Sequence, residues 1–250
     1  MGRRRALRTL LTLLPVGLFA LGCGGGVPFQ GLAADEIYNL GVQAVERGDW
    51  GEAIKTLERA LVTPGLTRPA QARVLLARAY FEEERYIEAR AEYQRVLDRH
   101  STDAAAVIEA SLGVCRSAAA LTLEPTRDQT QTRSAEAVCG QVARQFAGTP
   151  AGLEAERLRQ EMYDKLAEAD YLVGLHYFKR EAYIPATEYF EAVVEDHPES
   201  KWVPWALYQL WRSFSRVGFE SDAKQAKDRL LAEFPDSEPA RRVAEGNAGG

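Results

Sequence analysis

The feature that most constrains the fold of this chain is the spacing of small and aromatic residues in the stretch 170–198. Gly174 and Ala186 stand where the backbones of two helices would approach closely. Tyr177 and Phe190 would fill the space left between those helices, and a proline ends the stretch because it cannot continue a helix. A helical hairpin of this kind cannot bury its apolar face alone, so the stretch predicts one unit of a stacked array.

The same pattern recurs along the chain. Ala53 and Ala89 are 36 residues apart, and Ala186 and Ala223 are 37 apart. Both distances are close to the roughly 34 residues of a tetratricopeptide repeat. The 97 residues between Ala89 and Ala186 fit two enlarged steps with one irregular unit between them. We therefore predict an all-α tetratricopeptide-repeat solenoid of about five helix pairs. The predicted units are 35–68, 69–101, 102–149, 150–198 and 199–235, followed by an unstructured polar tail at 236–250.

The first 22 residues have the composition of a processing segment, a signal peptide. They open with a basic run, Arg3–Arg5 and Arg8, and continue with an apolar stretch, 7–21, that is too short to span a bilayer. Small residues then precede Cys23, which resembles the lipobox of bacterial lipoproteins, whose cysteine is acylated and becomes the new N-terminus. The alternative is an ordinary secretory signal that is cut elsewhere, with Cys23 as a bystander.

A glycine run, Gly24–Gly26, follows the cysteine and predicts a flexible tether within 23–34. These glycines do not form a phosphate-binding loop, because no predicted strand precedes them and no Gly-Lys-Ser/Thr follows. The chain has 31 basic and 36 acidic residues, and removal of the four arginines of 1–22 changes its net charge from -5 to -9. Since a nucleic-acid-binding protein needs a basic stripe, we expect no nucleic-acid partner.

Two further cysteines lie on the irregular unit, which is predicted to be a helical hairpin with a turn at 122–127. Cys115 precedes the turn and Cys139 follows it, so they are expected to face each other. In an oxidising periplasm they would form a disulfide closing a loop of about 24 residues. With Cys23 lipidated the remaining cysteines are even in number, which favours the bond. The alternative is two buried thiols that fill apolar space.

The last predicted unit carries aromatic residues at every third position, namely 202, 205, 208, 211 and 214. Because an α-helix has 3.6 residues per turn, each step of three leaves the side chain about 60° short of a full turn. Four steps sweep about 240° round the helix, too wide an arc for one core face. At least one of Trp202, Trp205 and Tyr208 should therefore be partly exposed, as a docking patch for a protein partner. The alternative is that they pack against a long helix predicted over 151–180, or cap the end of the solenoid.

A peptide-binding groove is predicted in the first two units, with Tyr38, Arg78 and Phe81 as its candidate lining. In tetratricopeptide solenoids the first helix of each unit lines the concave surface. An aromatic pair with one arginine suits an extended peptide that ends in an aromatic residue and a carboxylate. The alternative is that Tyr38 and Phe81 pack between repeats and Arg78 is solvated.

The sequence contains no recognisable catalytic or metal-binding constellation. Its histidines, His100, His176 and His197, are scattered, and no cysteine pair has metal-ligand spacing. Neither a Gly-x-Ser-x-Gly elbow nor a glycine-rich nucleotide motif occurs. We therefore expect a binding protein without a cofactor and not an enzyme.

Cys23, the five units, the run Arg127–Thr130 and the stretch 157–200 together resemble the BamD family, lipoproteins of the outer-membrane β-barrel assembly machinery. The resemblance implies a non-enzymatic adaptor on the periplasmic face of the outer membrane, held there by its acyl chains. It also implies that the C-terminal repeats dock on the periplasmic domains of the barrel-forming subunit, and that the N-terminal repeats receive the C-termini of unfolded barrel proteins. The alternative is a lipoprotein scaffold that serves cell-wall enzymes or a secretion channel.

Replacement of the lipobox cysteine tests the anchor. We expect Cys23→Ala to give a soluble or uncleaved form, because acyl chains would supply nearly all of the membrane affinity. Fractionation of the envelope in high salt measures this, and a variant that still sediments with the outer membrane would contradict lipidation.

Overall fold

In each predicted unit two consecutive helices pack against each other. A computed structural model describes residues 29–246, so Cys23 and the rest of 1–28 lie outside the described residues, as do 247–250. The helices are α1 (Ala34–Glu46), α2 (Trp50–Val62), α3 (Pro69–Glu82), α4 (Tyr86–Arg99), α5 (Ala104–Ala120), α6 (Thr130–Gln145), α7 (Pro150–Lys179), α8 (Tyr183–Asp196), α9 (Val203–Val217), α10 (Glu220–Glu233) and α11 (Glu238–Ala244). The predicted all-α fold of five helix pairs is confirmed over these residues. The description below concerns the described residues of the unit Ala33–Gly250.

The regular units share one turn between their two helices. Gly48, Glu84, Glu181 and Gly218 each have a positive φ, of 71°, 58°, 61° and 81°. Their spacing matches the repeat, since 48 and 84 are 36 residues apart and 181 and 218 are 37 apart. Glycine adopts this left-handed conformation without steric cost, whereas a glutamate there is held by its surroundings. The turn therefore belongs to the repeat and not to one residue type.

Close packing of a glycine against a large side chain joins the two helices of a unit. A Cβ atom placed on Gly174 of α7 would lie 2.6 Å from Cε1 of Phe190 in α8. A Cβ atom on Gly41 of α1 would likewise lie 2.7 Å from Cδ2 of Leu57 in α2. Both pairs are 16 residues apart, and both large side chains are fully buried. The close approach predicted at Gly174 is therefore present, and the first unit repeats it.

The irregular unit is held by a covalent bond and by one buried amide. Cys115 of α5 and Cys139 of α6 are joined as a disulfide, with their Cα atoms 4.9 Å apart and both residues fully buried. In the long loop between these helices, the Gln129 side chain donates to the carbonyl oxygens of Glu124 and Arg127 at 2.8 and 3.0 Å. These two hydrogen bonds from a buried side chain therefore hold the long loop that replaces the short turn of the other units.

The expectation of an unstructured tail is wrong for Glu238–Ala244, which form α11. The Ser237 hydroxyl accepts from the backbone N–H of Ala240 at 3.3 Å, and so caps the helix. Ala240 and Val243 are buried in the same core cluster as α9. A short helix with three buried apolar residues, Pro239, Ala240 and Val243, therefore covers part of α9. Among the described residues, no helix is both long and apolar enough to cross a membrane.

A paired glycine substitution tests the close packing. We expect Gly174→Ala to lower the free energy of unfolding by about 1 to 3 kcal/mol, because the buried Phe190 ring must move. Gly51→Ala is the matched control: it lies in α2 with nothing within 4 Å of the added Cβ. It should raise stability by up to about 1 kcal/mol. Urea unfolding followed by circular dichroism measures both, and equal effects would contradict the packing argument.

Thiol titration tests the disulfide. Mature protein prepared without reductant should release no thiol from Cys115 or Cys139 when denatured. Reduction should cost roughly 3 kcal/mol of stability, because it frees a loop of about 24 residues in the unfolded chain. Two titratable thiols in unreduced protein would instead support the alternative of buried, unbonded cysteines.

Candidate functional site

A cleft of about 530 Å³, here called the groove cleft, opens along three successive first helices, α3, α5 and α7. Its lining is Arg78, Phe81, Glu82, Tyr93, Glu109, Leu112, Gly113, Arg116, Glu154, Arg157 and Leu158. Tyr93 is buried, and a Cβ on Gly113 would collide with its ring. The glycine therefore lets α5 approach α4 closely at the base of the groove cleft.

Two of the three predicted groove residues lie together in this cleft. Arg78 is exposed and Phe81 is half-buried, with its ring centroid 5.1 Å from that of Tyr86. Tyr38 does not join them, because it is 6% exposed and the Arg68 guanidinium lies 4.4 Å from its ring centroid. It lines a neighbouring cavity of about 240 Å³, which shares Glu109 with the groove cleft. The prediction of Tyr38 as a partner of Arg78 and Phe81 is therefore wrong, since its ring packs between the first two units.

Of the cationic side chains that line the groove cleft, one is available to bind a ligand. Glu154 is 2.9 Å from Arg157 and 3.7 Å from Arg116. The hydrogen bond from Arg157 lowers the pKa of Glu154 below its usual value, with a smaller contribution from the charge of Arg116. Within residues 29–246, by contrast, the Arg78 guanidinium makes no hydrogen bond or ion pair. The groove cleft can thus offer the Arg78 guanidinium to an incoming carboxylate beside the Phe81 ring.

A second cleft, of about 610 Å³, lies between the α5–α6 loop and α7, and is here called the hairpin cleft. Its lining is Pro125, Thr126, Arg127, Asp128, Gln129, Arg133, Leu166, Ala169, Asp170, Leu172, Val173, His176, Tyr177 and His197. It contains most of the run 127–130, which the sequence singled out without assigning it a role. The helical periodicity of the sequence does not predict this cleft, because its walls come from a loop and from a helix of the next unit.

The hairpin cleft combines exposed cations with an apolar wall. Arg127 and Arg133 are exposed, and their guanidinium groups make no hydrogen bond or ion pair with other described residues. Asp128 accepts from the backbone N–H of Thr130 at 3.0 Å, and this bond lowers the pKa of its carboxyl. His197 Nε2 lies 3.6 Å from Asp170 Oδ2. This arrangement suits an acidic side chain that has an apolar neighbour.

The aromatic row of α9 is mostly part of the core. The Trp202 ring centroid lies 4.9 Å from that of Tyr171 on α7. The Arg242 guanidinium of α11 lies 5.0 Å from the Trp205 ring centroid, and Tyr208 is only 3% exposed. Tyr208 as a docking residue is therefore wrong, because two helices, α7 and α11, cover faces of α9 that a simple repeat leaves open. Trp202 and Trp205 remain half-buried.

Among the described residues, no group of three or more side chains could hold a metal ion. His176 and His197 both line the hairpin cleft, whereas His100 does not. Two imidazole side chains in the wall of a cleft fit a binding surface.

Comparison with known proteins gives three relatives called "Outer membrane protein assembly factor BamD". The protein from Caulobacter vibrioides is 25% identical over 222 residues, covering 86% of this chain and 72% of the relative. That from Rickettsia prowazekii is 22% identical over 236 residues, covering 92% of each chain. That from Haemophilus influenzae is 22% identical and covers 87% of each chain.

Solved structures that are similar include two tetratricopeptide-repeat proteins at 14% identity. The complex of the yeast Sti1 TPR2AB domain with an HSP90 peptide has a TM-score of 0.42 and covers 85% of this chain and 84% of that one. The P58(IPK) TPR domain has a TM-score of 0.43 and covers 86% of this chain and 56% of that one. A family model, YfiO, described as an outer membrane lipoprotein, matches residues 31–242. Because this match covers most of the sequence, the chain belongs to the YfiO family of outer membrane lipoproteins.

Proposed function

We propose that this chain is a non-enzymatic scaffold lipoprotein of the outer-membrane β-barrel assembly machinery. It is anchored through Cys23 to the periplasmic face of the outer membrane, and it assists the folding and insertion of barrel proteins. The observation that carries this proposal is the family match over 31–242, which includes all five helix pairs. The names of the three relatives agree with it.

The groove cleft is the proposed site for the C-terminal segments of unfolded barrel proteins. Its single unpaired guanidinium, Arg78, lies beside Phe81 at an opening bordered by three helices. A terminal carboxylate would bind Arg78 and an aromatic side chain would lie against Phe81. Arg116 and Arg157 contribute positive charge but are already held by Glu154. They are therefore less available to a ligand than Arg78.

The hairpin cleft is the proposed docking site for a periplasmic domain of the barrel-forming subunit. Arg127 and Arg133 would pair with acidic side chains of that domain, and the apolar wall at Leu172 and Val173 would bury an adjacent side chain. Cations at the rim of an interface chiefly set partner choice and association rate. This docking would occupy the third and fourth units and leave the groove cleft open.

Capture from membranes tests the function. The full lipoprotein, purified from detergent-solubilised outer membrane, should bring down a β-barrel subunit, and the double variant Arg127→Glu, Arg133→Glu should lose it. The matched control is Arg59→Glu, Arg99→Glu, which changes two exposed arginines on α2 and α4 that line neither cleft. Recovery of cell-wall enzymes or a secretion channel without a barrel subunit would contradict the proposal.

A peptide titration tests the groove cleft separately. We expect Arg78→Ala to weaken binding of a barrel C-terminal peptide by about 1 to 3 kcal/mol, the usual contribution of a hydrogen bond to a charged group. The thermal midpoint should hardly change, because Arg78 is exposed and unpaired. Calorimetry of wild type, Arg78→Ala and the control Arg59→Ala measures the difference. Equal affinities would remove Arg78 from the site.

A further inference from the structure

A third opening, here called the notch, lies between α8 and α10 and uses none of the residues of the two clefts. Its volume is about 220 Å³, and α9 forms its floor. Leu207 and Leu210 of α9 are 1% and 5% exposed, and Val194 and Ala226 flank them at 7% and 5%. The floor of the notch is therefore the apolar core of the last two units.

Carboxylates stand at the rim of this apolar floor. Glu191 and Glu195 come from α8, and Asp222 comes from α10. Within the described range 29–246, none of these three carboxylates makes a hydrogen bond or an ion pair. Arg229 also lines the notch, but its Nε atom donates to Glu233 at 3.0 Å. The rim thus carries negative charge that no neighbouring cation neutralises.

Elsewhere on the last helices of the chain, several carboxylates lie four residues from a basic side chain and are paired with it. Arg229 and Glu233 are such a pair, as are Arg242 and Glu238. At the notch the same spacing places Glu191 beside Glu195, and like charges four residues apart destabilise a helix. Burial raises the pKa of the Glu191 carboxyl, and the charges of Glu195, Asp222 and Glu188 raise it further. A cation bound here would relieve this repulsion.

We propose that the notch binds an arginine side chain on a segment of a partner protein. The aliphatic stem would lie on Leu210 and on the half-buried Phe214 ring of α9, as the stems of long basic side chains do on apolar surface. The planar guanidinium would lie between Glu191 and Glu195 on one side and Asp222 on the other, where its five N–H donors meet several carboxylate oxygens. This binding would not depend on which envelope complex the chain serves, because the notch shares no lining residue with either cleft.

Site-specific cross-linking tests this site in the full lipoprotein in cells. Gln225 is exposed at the edge of the notch and is the position for the photo-reactive residue p-benzoylphenylalanine. We expect the cross-linked partner segment, mapped by mass spectrometry, to contain an arginine next to the attachment point. The double variant Glu191→Gln, Glu195→Gln should reduce the cross-linked product at least tenfold. The matched control Glu46→Gln, Glu181→Gln, at two exposed glutamates outside the notch, should leave it unchanged.

A charge exchange completes the test. Replacing the mapped arginine of the partner by glutamate should abolish the product, and Glu191→Arg, Glu195→Arg should restore it. The proposal is overturned by a mapped segment without arginine, by a product that survives the glutamine variant, by cross-linking only to a second copy of this chain, or by no product at all. Loss of the barrel subunit through Arg127 and Arg133 would be a separate result, since it concerns the hairpin cleft.

Discussion

Close contact between a glycine on one helix and a large buried side chain on the next joins the two helices of the first and fourth units of this solenoid. In the fourth unit Gly174 accepts the Phe190 ring, and in the first Gly41 accepts Leu57. Without a Cβ, the glycine lets the two helix axes approach until the large side chain fills the gap at the density of a protein interior. A hairpin packed in this way presents one continuous apolar face, and stacking buries that face against the next unit.

The irregular third unit interrupts this regular stacking and creates the open surfaces. A loop held by Gln129 replaces the tight turn, and the disulfide between Cys115 and Cys139 keeps α5 and α6 together. The 30-residue helix α7 is about twice as long as its partner α8, so one part of it packs on α6 and another on α8. Both clefts border α7, because neighbours of ordinary length cannot cover all of a helix that long.

An unpaired arginine beside an apolar wall is a feature that the two clefts share. Both arginines of α7 are engaged, Arg157 with Glu154 and Arg159 with Glu156. Arg78, Arg127 and Arg133, by contrast, have no such partner among the described residues and lie at the clefts. Pairs of exposed charges contribute little to stability. Unpaired cations beside apolar walls therefore favour an interpretation of these surfaces as binding sites for acidic groups rather than as structural elements.

The sequence by itself determined the parts of this protein that depend on local spacing. The 36- and 37-residue intervals predicted the helix pairs, Gly174 and Phe190 predicted the close packing, and the positions of Cys115 and Cys139 about the turn brought them face to face. Tertiary structure alone decided which faces stay open. Tyr38 and Tyr208 are buried because Arg68 lies over one ring and helices from other parts of the chain enclose the other. Helical periodicity reports which residues share a face, but the covering of that face depends on residues distant in sequence, such as those of α11 and the loop of the third unit.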